Sequence, residues 1–139
     1  MSTVRNLDIQ SKTKVVTSKA SQIVIGGQVP AGKKRWVCFI AVDSVHAAGA
    51  KAVNVHFASV GVSNPTKASI VATGNRKMFI PFRATGVKRG TCQVHGGPPF
   101  QIPWKPDPNA PLFSIAGGKW LGVACSNTTA TVHVVYFDE

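Results

Sequence analysis

The chain has 139 residues, 44% of them hydrophobic and only 15% charged, against a usual charged share of about 25%. That excludes a disordered polyelectrolyte and predicts one packed core, with roughly two-thirds of the unfolded surface buried without a disulfide or metal staple. Sixteen Lys and Arg against five Asp and Glu leave a formal net charge of +11, which points to an acidic partner.

Residues 1–20 carry Arg5, Lys12, Lys14 and Lys19 against the single acid Asp8, among many Ser and Thr. They read as a basic N-terminal arm that orders only against a neighbouring chain, ahead of a single β-sandwich domain over residues 21–139; the competing reading is a frayed terminus that becomes an edge strand. Further along, no helical period is sustained, while β-branched and aromatic runs recur between Gly, Pro, Asn and Ser clusters. Such runs predict strands over Lys14 to Ser18, Gln22 to Gly26, Arg35 to Val42, Ala52 to Val60, Ala68 to Ala72, Lys77 to Phe82, Thr91 to His95, Leu112 to Ala116, Trp120 to Ser126 and Thr129 to Phe137. The fold class is therefore all-β, a sandwich of jelly-roll or related Greek-key topology.

Arg35 to Val42 is apolar on both faces after its first residue, which predicts a central strand covered on both sides. Val53, Val55 and Phe57 alternate with Asn54 and His56, and Ala130, Val132, Val134 and Tyr136 alternate with Thr131 and His133. Both patterns predict strands buried on one face. Turns are expected at Pro30-Ala31-Gly32 and Gly74-Asn75, and Gly117-Gly118 reads as a hairpin between two apolar strands. Gly96 to Pro111 holds prolines at 98, 99, 103, 106, 108 and 111, which cannot donate ladder hydrogen bonds. The stretch reads as a long extended connection across the sandwich.

Catalytic chemistry has little to work with. Glu139 is the only glutamate and Asp8, Asp43, Asp107 and Asp138 the only aspartates; there is no Gly-x-Ser-x-Gly elbow, and the expectation is no enzyme. Cys38, Cys92 and Cys125 form no close pair and read as small buried hydrophobes. His46, His56, His95 and His133 show no metal-ligand spacing and read as satisfied or solvent-facing side chains. No metal and no cofactor is expected. No apolar run approaches the roughly 18 residues of a membrane span, and the segment after Met1 has no signal-peptide core, so the expectation is neither membrane insertion nor secretion.

The remaining signal is cationic. Lys33-Lys34-Arg35, Arg76-Lys77, Arg83 and Lys88-Arg89 cluster at turns and strand ends. They read either as solubilising charge that blunts sheet edges or as a positive face for an acidic protein shell or a phosphate backbone. Phe100, Ile102 and Trp104 alternate within the Pro-rich stretch and predict an apolar face that needs a partner. The contact candidates are thus Arg5, Lys12, Lys14, Lys33, Lys34, Arg76, Lys77, Arg83, Lys88, Arg89, Phe100, Ile102 and Trp104. A homo-oligomer is expected, a dimer ahead of a trimer.

Two segments carry a resemblance. Gln28-Val29-Pro30-Ala31-Gly32-Lys33-Lys34-Arg35-Trp36-Val37 resembles the lead into the first long strand of small β-sandwich proteins of tailed-phage particles. Gly117 to Asn127, followed by Thr129 to Phe137, is similar to their closing hairpin. The resemblance covers about half the chain and implies a capsid cement, or decoration, protein of jelly-roll type. Such a virion protein is made in the host cytoplasm and binds the exterior of an assembled shell of major capsid protein, bridging neighbouring subunits without an active site. The alternatives are a nucleic-acid-binding viral coat protein with a basic arm, and a tail or baseplate sandwich module. The +11 charge is not explained by the resemblance; an acidic capsid exterior would explain it.

Overall fold

The structure, a computed structural model, describes residues 8–17, 23–46, 52–83, 89–95, 109–125 and 128–139. Among these residues nine strands and one short helix follow in the order β1 (Ile9–Thr17), β2 (Ile23–Ile25), β3 (Lys34–His46), β4 (Ala52–Val60), α1 (Lys67–Val71), β5 (Arg76–Arg83), β6 (Arg89–His95), β7 (Phe113–Ala116), β8 (Trp120–Cys125) and β9 (Thr128–Asp138). One antiparallel sheet runs β1-β9-β3-β6 and the other β2-β8-β4-β5. β7 pairs with Lys34–Val37 and β6 with Phe39–Val45, so these two strands lie end to end along one edge of β3. With β7 set aside, the eight long-range strands follow the double Greek key of a jelly roll.

Between the sheets lies the main core, with Val37, Ile40, Val42, Val55, Phe57, Leu121, Val123, Val132 and Val134 among its members. β3 is central, as its two-sided apolarity predicts, and a bulge at Cys38 sets how its faces are used. The register shifts between Val37 and Phe39, so Val37 and Ile40, three residues apart, both face the main core while Cys38 and Phe39 join Val135 and Phe137 in a cluster on the opposite face. The one-sided pattern expected of β9 therefore holds only for its first half.

β4 departs from its alternation in the same way. Its outer face is covered by α1, whose Ile70 packs with Ala58, Val60 and Ala124. The strand expected over Ala68 to Ala72 is this helix instead. Thr66 caps it, its hydroxyl accepting from the Ser69 amide at 3.2 Å, and the preceding Pro65 keeps the chain extended up to the cap. The apolar residues there serve one helical face rather than a strand.

Two further expectations are corrected by topology. Gly117-Gly118 does not close a hairpin, because β7 belongs to the first sheet and β8 to the second. The turn passes the chain between layers and is tied to the β2–β3 link by Gly118 N–H to Val29 O at 2.8 Å and Val29 N–H to Lys119 O at 2.9 Å. β8 and β9 likewise lie in opposite sheets, so the closing segment is no hairpin either. Most of the Pro-rich connection, residues 96–108, lies outside the described residues; β6 before it and β7 after it both pair with β3.

Ile9–Thr17, expected within an arm that orders only against another chain, pairs residue by residue with Phe137–Thr129 as the edge strand of the first sheet. Among the residues of β1 whose burial is described, only Val16 is fully buried, and Lys12 and Lys14 on the same face stay exposed. The facing strand β2 is only 3 residues long, too short to cover them. The expected Pro30-Ala31-Gly32 turn is present: Lys33 N–H reaches Pro30 O at 3.1 Å and Gly32 has φ 77°, the third position of a turn that requires positive φ.

Candidate functional site

The predicted contact residues are not gathered onto one face. Lys12 and Lys14 stand on β1 at one open edge of the sandwich, and Arg76 and Lys77 begin β5 at the other. Lys33 and Lys34 are exposed beside the turn into β3, where Lys34 exchanges both backbone hydrogen bonds with Glu139. Arg83 and Arg89 are strand termini, on β5 and β6. Arg5, Lys88, Phe100, Ile102 and Trp104 lie outside the described residues.

Arg35 belongs to none of these surfaces, although the sequence places it in a basic run. It is 3% exposed, and its Nε and Nη2 donate to the two carboxylate oxygens of Asp138 at 2.8 and 2.9 Å. Nη1 donates to Gly27 O at 2.8 Å, and the guanidinium lies 4.1 Å from the Tyr136 ring centre. A Cβ on Gly26 would come 2.5 Å from the Tyr136 hydroxyl, which is why glycine occupies that position. The cluster locks the β2–β3 link to the C-terminal strand and is structural.

The chemistry that the sequence misses is on the outer face of the second sheet, where β4 and β5 pair. His56 stands opposite Phe79, and Ala58 opposite Arg76, with a register shift between Phe57 and Ala58. Lys77 is thus the extra residue of a β-bulge, and Arg76 and Phe79, which strict alternation would place on opposite faces, share one. The Arg76 guanidinium lies 5.3 Å from the centre of the Phe79 ring, and the His56 ring meets the same phenyl at 4.9 Å and 51°. Phe79 remains 39% exposed while His56 is buried.

His56 was expected to be satisfied or facing solvent; its Nδ1 is instead buried without a hydrogen-bond partner. Burial holds its pKa below the ordinary range, and the positive charges of Arg76 and Lys67 push in the same direction. Arg76 and Lys67 are both cations, so their effects on this ring add. His133 does meet the expectation, with Thr13 Oγ1 2.8 Å from Nδ1 and Ser11 Oγ 3.0 Å from Nε2 on the outer face of the first sheet. Cys38 and Cys125 are buried thiols, as expected of small apolar residues, with burial raising the Cys125 pKa. Among the described residues no group of three potential metal ligands occurs, and no helix is long and apolar enough to cross a membrane.

No protein-family model, curated protein or solved structure matches this chain. Of the decoration-protein resemblance, the two-sheet antiparallel sandwich is present in the structure.

Proposed function

We propose that this chain is a structural protein of a virion, binding the outer surface of an assembled capsid and bridging neighbouring major capsid subunits. The observation that carries the reading is the jelly-roll strand order, an architecture that includes viral capsid proteins. Exposed cations at two opposite edges, Lys12 and Lys14 on β1 and Arg76 and Lys77 on β5, suit a subunit that meets acidic neighbours on more than one side. Each contact would be weak, and oligomerisation would raise the effective concentration of the rest. Co-sedimentation with undecorated shells from the same source tests it. Saturable binding at low salt is expected, and its absence refutes the docking.

A second reading is favoured by one particular arrangement, the Arg76–Phe79 pair beside Lys67. A cation stacked on a half-exposed ring, within a positive patch, is what a nucleic-acid-binding coat protein would present to packaged strands. Retention of generic single-stranded RNA at moderate salt, with shells ignored, would establish this reading over the first.

A further inference from the structure

We propose that the outer face of the second sheet at the start of β5, formed by Arg76, Phe79 and Lys67 above His56, is a binding site for single-stranded nucleic acid. An unpaired base would stack against the Phe79–Arg76 pair, and its flanking phosphates would lie on Lys67 and Lys77. The inference rests on the coat-protein reading and gives it a place on the fold other than the basic arm.

The geometry begins with the bulge. Without the extra residue at Lys77, the side chains three positions apart on β5 would point to opposite faces, and Arg76 could not lie 5.3 Å from the Phe79 ring centre. Bulges are placed where a strand must re-aim a side chain, and here the re-aimed group is a planar cation brought onto an aromatic ring. His56 fixes that ring from the strand beside it, at 4.9 Å. The result is a rigid planar surface on strands rather than a mobile loop, with Phe79 39% exposed and Arg76 and Lys77 exposed at its margin.

Charge decides the class of ligand. Arg76 and Lys77 are exposed cations at the margin of the ring, and the positive charges of Arg76 and Lys67 both act on His56. A planar guanidinium and an exposed ring together accept a flat π system, whereas the surrounding cations accept a polyanion; single-stranded nucleic acid supplies both in one ligand. An acidic protein surface would answer the charge but would have no use for the ring.

The test is fluorescence anisotropy of a labelled oligouridylate with the full chain, between 50 and 200 mM salt, with urea midpoints to show that each variant is folded. Phe79→Leu is expected to weaken binding roughly 5- to 150-fold, the loss of one base–aromatic stack, while Phe79→Tyr binds like the parent. Arg76→Gln should weaken binding, and Lys77→Gln, which removes a phosphate contact, should reduce the log–log salt slope by about 0.7. If the oligonucleotide binds but Phe79→Leu and Arg76→Gln bind like the parent, the site is wrong although the coat-protein reading survives. Failure to bind at 50 mM salt removes both. Should polyglutamate bind as tightly as the oligonucleotide, with Phe79→Leu indifferent to either, the patch is a docking surface for acidic protein and the proposal is overturned.

Discussion

Removing the Asp138 carboxylate would strand a guanidinium inside the protein. Arg35 is 3% exposed and directs two of its nitrogens at that carboxylate, with Gly27 O and the Tyr136 ring as further partners. Breaking a buried ion pair by deleting one partner costs about 3–5 kcal/mol. The Asp138 side chain is 22% exposed, so water reaches the vacated position in part and the lower end, about 3 kcal/mol, is expected for Asp138→Ala. For a domain of this size that corresponds to a melting temperature lower by roughly 10 °C. The double variant Arg35→Met with Asp138→Leu removes both charges and should be more stable than either single change, because neither ion is then left unpaired. Urea denaturation of the parent, the two single variants and the double variant gives the coupling energy directly. If Asp138→Ala unfolds within about 0.5 kcal/mol of the parent, the range of ordinary surface substitutions, the pair does not lock the C-terminal strand.

Ile40→Ala empties a fully buried position of the main core and should lower stability by about 2–5 kcal/mol, and Phe39→Ala, in the outer cluster, by about 3–5 kcal/mol; a parent-like melt for both would refute the placement of β3. Gly26→Ala drives a methyl group against Tyr136 and Arg35 at positive φ and should cost roughly 1–3 kcal/mol of overpacking, seen as an earlier urea midpoint at unchanged slope. His56 titrates in the folded state below its unfolded value of about 6.5. As pH falls from 7 to 5 the unfolded chain takes up a proton that the folded chain refuses, so stability declines. His56→Phe should flatten this decline, and an unchanged difference between urea midpoints at the two pH values would refute the link. Deleting residues 2–12 removes Ile9 to Lys12 from the ladder with β9 and should destabilise the fold itself, measured as a lower melting temperature, in contrast to the silent loss expected of a free arm.

Much of the strand layout was legible because it rests on local chemistry. Ala52–Val60 has the same bounds in sequence and structure, since β-branched residues between turn-formers leave the backbone few alternatives. The two-sided apolarity of Trp36 to Val42 required a central strand, and the Pro30–Gly32 turn needed only glycine's access to positive φ. None of these properties depends on which strands become neighbours.

Partners across the fold decided the rest. The five-residue stretch Lys67–Val71 suits either a strand or a helical turn, and it was settled by the capping of Thr66 and the groove that Ala58, Val60 and Ala124 offer to Ile70. Gly117-Gly118 has hairpin composition, but Phe113–Ala116 is claimed by the free edge of β3 and Trp120–Cys125 by β2 and β4. Arg35 reads as one more loop cation until Asp138, far away in sequence, closes on it. The Arg76–Phe79 surface was hidden for the plainest reason. Alternation along a strand predicts faces only while the register is unbroken, and the extra residue at Lys77 is imposed by pairing with β4, which no local pattern in β5 records.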